Sequence, residues 1–139
     1  MIRYWVWLAT CLDAGSAHLK PLLEKYGSPK AIYTTPIADL RATYLVSDNE
    51  LKRLNNKCLD RADKILEECN ESKIEILTYA DERYPKLLKE ISNPPVCLYV
   101  KGKFLNFGAF PIVGIVGSRK ATDYGLKSAW SLAARLASG

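Results

Sequence analysis

The stretch Pro111-Ile-Val-Gly-Ile-Val-Gly117 is apolar from end to end and runs straight into Ser118, Arg119 and Lys120. Residues 122–138 then place Leu126, Ala129, Trp130, Ala133, Leu136 and Ala137 on one helical face. An apolar run without polar alternation predicts a strand covered on both faces, as in a parallel sheet. A glycine turn leading into an amphipathic helix predicts the crossover that such a strand uses. A second strand should follow beside the first, so the sequence reads as the front part of a longer chain. Thr122 is the expected N-cap of the helix, Gly125 lies in its first turn, and Gly139 is its expected C-terminal cap.

The rest of the chain divides at Lys73. Residues 1–72 read as helices joined by short turns. Tyr4, Trp5, Leu8 and Leu12 share one helical face, and Leu19, Leu22, Leu23 and Tyr26 mark a second helix that starts near His18, because Pro21 is tolerated only in a first turn, and ends at Gly27. "SPKAIY" and "TPIADL" give two short helical pieces, the second expected to be capped by Thr35. Residues 47–72 give one long amphipathic helix or two stacked end to end, started by Ser47 or Asp48. Beyond Lys73, "IEILTY" reads as a strand, "YPKLLKEI" as a short helix and "VCLYVKG" as a second strand. The expected domains are therefore a helical one over 1–72 and an α/β one over 73–139, which makes the chain α/β overall.

Charge separates the two parts. The formal net charge is +5. Residues 1–80 are neutral, and the excess lies wholly in residues 81–139, which points an anionic partner toward the C-terminal part. The four cysteines form no CxxC pair and there is one histidine, His18, so no metal site is expected. Cys58 and Cys69 are spaced to return to one helical face and are expected to be buried thiols. The N-terminal run imitates a secretory leader, but Asp13 ends it and Trp5 with Trp7 suits a packed helix. With reduced thiols and no membrane-length apolar stretch, the expected location is the cytoplasm.

At the glycine turn, the first N–H groups of a helix and its dipole favour an anion, and glycine lets the backbone come close to it. Arg119 offers a planar fork suited to phosphate, and Ser118 a hydroxyl and an N–H. The residues fit neither the dinucleotide fingerprint GxGxxG nor the P-loop GxxxxGK[ST]. The plain alternative is a tight turn at Gly117 with Arg119 solvated and Asp123 complementing the helix dipole. No catalytic group stands out, and His18 reads as structural. Tyr4, Trp5 and Trp130 lie on apolar stripes and are expected to pack. Trp7 lies off the face of Tyr4 and Trp5. Tyr124, beside the cradle, is the candidate for base stacking, with packing against the strand as the alternative.

"ILTYADERYPKLLKEISNPPVCLYVKG" (76–102) followed by "IVGSRKATDYG" (115–125) resembles the DprA/Smf DNA-processing family. The shared pattern is Tyr-Pro-x-Leu-Leu at Tyr84–Leu88, then Pro94 with Pro95, then Leu98, Tyr99 and Gly102, then Gly-Ser-Arg-x-x-Thr-x-Tyr-Gly at Gly117–Gly125. The helical part, with "LLEKYGSPKAIY", looks like that family's helix-hairpin-helix or SAM-like domain. "DAGSAH", however, has one glycine where a DNA-binding hairpin usually has two. The resemblance implies a truncated Rossmann-like domain that binds single-stranded DNA without base specificity, a recombination mediator that protects incoming DNA in natural transformation and loads RecA, and a homodimer in the full-length family. It implies no enzyme activity, cofactor or membrane. Gly117, Ser118 and Arg119 would line the DNA pocket, Arg119 as the main phosphate contact and Lys120 as an outer charge, with Thr122 and Gly125 shaping the helix start. The alternatives are a Rossmann-type nucleotide-binding enzyme, and a non-binding fragment or protein-interaction module.

Overall fold

The computed structural model describes residues 1–13, 16–103 and 112–138. They divide into two compact units, 1–108 and 109–139. In the first unit, six helices precede a hairpin-like sheet: α1 (Ile2–Cys11), α2 (Leu19–Tyr26), α3 (Pro29–Thr34), α4 (Ile37–Ala42), α5 (Asp48–Asn55) and α6 (Asp60–Glu71), then β1 (Ile74–Thr78), α7 (Lys86–Glu90) and β2 (Cys97–Lys101). The strands pair antiparallel, with Ile74 opposite Lys101 and Thr78 opposite Cys97.

Local chemistry accounts for most of the boundaries. Gly27 closes α2 in the left-handed region (φ 76°) and Gly102 ends β2 in the same way (φ 92°), conformations that favour a residue without Cβ. Ser47 starts α5 with a reciprocal capping box to Glu50. The change of texture at Lys73 is a backbone event: Lys73 itself takes φ 53° between α6 and β1, a rare state for a side-chain-bearing residue.

One core joins the helices to the sheet. Val6, Trp7, Leu8 and Cys11 of α1 pack with Leu19, Leu22, Ile32, Leu40 and Leu54, and Val96 and Cys97 enter the same cluster from beside and within β2. Burial pushes the Cys11 thiol up to about 11 and the Cys97 thiol up to about 12, so both behave as small apolar groups.

Residues 47–72 form two helices, α5 and α6, one of the two arrangements the sequence allows. Two expectations need correction here. Thr35 does not cap α4: its hydroxyl donates back to the Ala31 carbonyl (2.8 Å), and Pro36 holds the cap position with no side-chain bond. Cys58 is exposed, because it lies in the connection between α5 and α6 rather than on a helix face. Trp7 is buried in the core, where its ring stands edge-on to Tyr33 at 5.1 Å and its Nε1–H donates to the Asn56 carbonyl (3.2 Å). Tyr4 and Trp5 are half-buried, as packing residues.

The second unit holds α8 (Asp123–Ser138). Residues 112–117 form no strand, against the sequence reading. A strand exists only through ladder bonds to a neighbour, and none of the described residues pairs with this run. The observed sheet is thus a small antiparallel one within a mixed helical chain, still α/β overall. The α8 stripe is uncovered: Leu126, Trp130 and Leu136 are exposed, so the expected packing of Trp130 does not occur in this unit. The expected cap at Gly139 and the glycine of the α1–α2 turn, Gly15, lie outside the described residues. No helix among the described residues is long and apolar enough to cross a membrane.

Candidate functional site

The turn before α8 is organised by two hydroxyls. Ser118 Oγ accepts the Lys120 N–H (3.3 Å), which bends the chain, and Thr122 Oγ1 accepts the Gly125 N–H (3.2 Å), which caps the helix. The Thr122 carbonyl accepts the Leu126 N–H at 3.0 Å, so the helical ladder starts at the expected residue. This turn lies at the positive end of a 16-residue helix.

Gly117, Ser118, Arg119 and Lys120 all lie exposed on this bend. Among the described residues neither Arg119 nor Lys120 makes an ion pair. The glycines are not demanded by packing. A Cβ at Gly117 would meet no atom within 4 Å, and one at Gly125 would make only an ordinary 3.5 Å contact with Thr122 Oγ1. Neither residue has a positive φ. Tyr124, on the first turn of α8, is 82% exposed and leaves its ring face open. Backbone N–H groups, a guanidinium, an ammonium and two hydroxyls suit this place to holding an anion such as a phosphodiester.

The other part of the sequence signature has a different job. Tyr84 is buried and its hydroxyl donates to the Pro95 carbonyl at 2.8 Å, which ties the Tyr-Pro and Pro-Pro segments together. Its ring meets Tyr79 at 5.6 Å, and Lys89 Nζ lies over both rings at 5.4 and 5.6 Å while donating to the Asp81 carbonyl. Burial pushes the Tyr84 phenol up to about 12. Arg83 is held by Asp81 and Glu75, at 3.1 and 2.6 Å, and these bonds raise its pKa further. These residues build the fold around β1 and β2.

His18 is structural, as expected, but its partner is not visible in the sequence. His18 Nδ1 lies 2.6 Å from Glu50 Oε2, with Glu50 buried. The Ser47-x-x-Glu50 spacing announces the capping box. Nothing in the spacing announces that the same carboxylate also reaches a turn more than thirty positions earlier.

Comparison with known proteins gives a consistent picture. Residues 75–139 match the family profile described as DNA recombination-mediator protein A. A Synechocystis protein named Protein Smf is 42% identical over 71 residues, covering 49% of this chain and 17% of that protein. The DNA processing protein DprA of Bacillus subtilis is 25% identical over 122 residues, covering 80% of this chain and 41% of that protein. The chain therefore spans less than half the length of these curated relatives. No solved structure gives a significant match.

Proposed function

From the match of residues 75–139 to the DNA recombination-mediator protein A profile, we propose that this chain carries the phosphate-gripping part of a single-stranded-DNA-binding protein. On this reading residues 73–139 contribute the first part of a Rossmann-like domain and residues 1–72 a SAM-like helical domain. The protein works in the cytoplasm by binding rather than catalysis, and a full-length form dimerises and hands DNA to RecA. Gly117, Ser118 and Arg119 receive a backbone phosphate, Arg119 through its fork, with Lys120 as an outer charge. Thr122 and Gly125 shape the helix start, and Tyr124 offers a face to a base.

The observation that carries this reading is the contrast between the turn and its own packing. Among the described residues its cations make no ion pair and its glycines are not required by sterics. A ligand that approaches the backbone and carries negative charge explains both. The test is a titration of labelled oligothymidylate across a salt series. Affinity should fall as salt rises, and Arg119→Ala should weaken binding and reduce the salt slope by about 1. An Arg119→Ala protein with wild-type helical content, affinity and slope would overturn the assignment.

A further inference from the structure

Glu50 is the one charged side chain buried among the described residues, at 1% exposure. Its place as the third residue of α5 explains part of its bonding. Oε2 accepts the Ser47 N–H (3.0 Å) and the Ser47 hydroxyl (2.8 Å), which is the return arm of the capping box. An ordinary capping box needs no more than this and leaves its carboxylate in water. Here the carboxylate also reaches across to the connection between α1 and α2. Oε1 accepts the Asp13 N–H at 3.2 Å, and Oε2 lies 2.6 Å from His18 Nδ1. A carboxylate has no proton to give, so Nδ1 is the donor. The Ser16 hydroxyl bonds to the same carboxylate and accepts the His18 N–H at 3.2 Å.

Donors from two separate elements thus converge on one small buried volume. Arg53 fixes the connection from the other side: Nε donates to the Cys11 carbonyl (2.6 Å) and a terminal nitrogen to Asp13 Oδ1 (2.7 Å). That pairing also answers the Asp13 carboxylate, which would otherwise place a second negative charge near Glu50. Burial by itself raises the Glu50 pKa, but the bonds from Ser16, Ser47 and Asp13 outweigh it and hold the carboxyl at about 2.

We propose that Glu50 is a resident anion: its carboxylate occupies a site lined by donors from Asp13, Ser16, His18 and Ser47, latching Asp13, Ser16 and His18 to the start of α5 and closing these donors to any outside carboxylate or phosphate. The consequence for the helical layer is that nucleic-acid phosphate is not taken by these donors while Glu50 fills the site. The inference stands on the geometry of residues 13–53 and is independent of the function proposed for the turn before α8.

Glu50→Ala removes a methylene and a carboxylate, the atoms of one acetate ion, and leaves the donors facing an empty volume. In thermal unfolding of the full chain at neutral pH, Glu50→Ala should melt on the order of 10 °C below the wild type. Acetate should restore part of that loss, rising and saturating with concentration as expected for a ligand of the folded state, while chloride at equal ionic strength should not. The wild type should respond to neither. Glu50→Gln keeps the volume and loses the charge, and serves if the alanine variant does not fold: it should melt below the wild type and lose the fall in stability that the wild type shows in acid. An alanine variant that acetate stabilises no more than chloride, a wild type that gains as much from acetate, or a glutamine variant with wild-type melting at all pH values would each overturn the proposal.

Discussion

Unit 1–108 and unit 109–139 answer the question of why a residue is where it is in opposite ways. In the first, the fold itself supplies the reason: Trp7 fills the core and bonds Asn56, Tyr84 joins two segments through Pro95, and Glu50 satisfies donors from two elements. In the second, α8 has no buried residue, and the turn before it carries cations that make no ion pair among the described residues and glycines that its packing does not ask for. On the proposed function, the first region carries stability and the second carries recognition.

The contrast can be broken by substitution, and the largest effect belongs to the core. Trp7→Ala should lower the unfolding free energy by about 3–5 kcal/mol in urea titrations. Trp130→Ala, at 76% exposure, should change it by no more than about 0.5 kcal/mol in either direction. Equal losses at the two tryptophans would erase the distinction between the regions.

Acid provides the next test. The folded Glu50 carboxyl is held at about 2 against an ordinary 4.5, so its contribution is fully present above about 4.5 and is lost as pH falls through about 2. The contribution is on the order of 3 kcal/mol. Urea unfolding at a series of pH values should show this fall in the wild type and a flatter curve in Glu50→Gln. A smaller effect is expected at Tyr84→Phe, which removes the donor to Pro95 and leaves a carbonyl unmet, at about 1 kcal/mol.

Local chemistry was legible in the sequence, and partnership was not. Gly27, Ser47 and Thr122 act as caps where their side chains or backbone freedom place them, because a cap is decided within four residues. The strands at 74–78 and 97–101 follow from short alternating runs that find each other. The run at 112–117 has the same composition as a buried strand yet forms none, since composition supplies apolar surface but not the neighbour that completes a ladder. Trp7 lies off the stripe of Tyr4 and Trp5, so helical periodicity alone does not place it in the core. The core wraps around α1 and takes it in through Tyr33 and Asn56, both distant in sequence. For the candidate site, the residues and their order were readable as a motif, and the structure adds the bend at Ser118 and the cap at Thr122. The donors gathered around Glu50 were out of reach, because a contact between residues 13, 18 and 50 leaves no periodic trace.

On the proposed function the turn before α8 is set by a ligand and not by the fold, and Gly117→Ala separates the two. The added methyl meets no atom within 4 Å, so the unfolding free energy should stay within about 0.5 kcal/mol of the wild type, while affinity for oligothymidylate should drop as the methyl stands between backbone and phosphate. Unchanged affinity, or a loss of affinity that merely tracks a loss of stability, would contradict it.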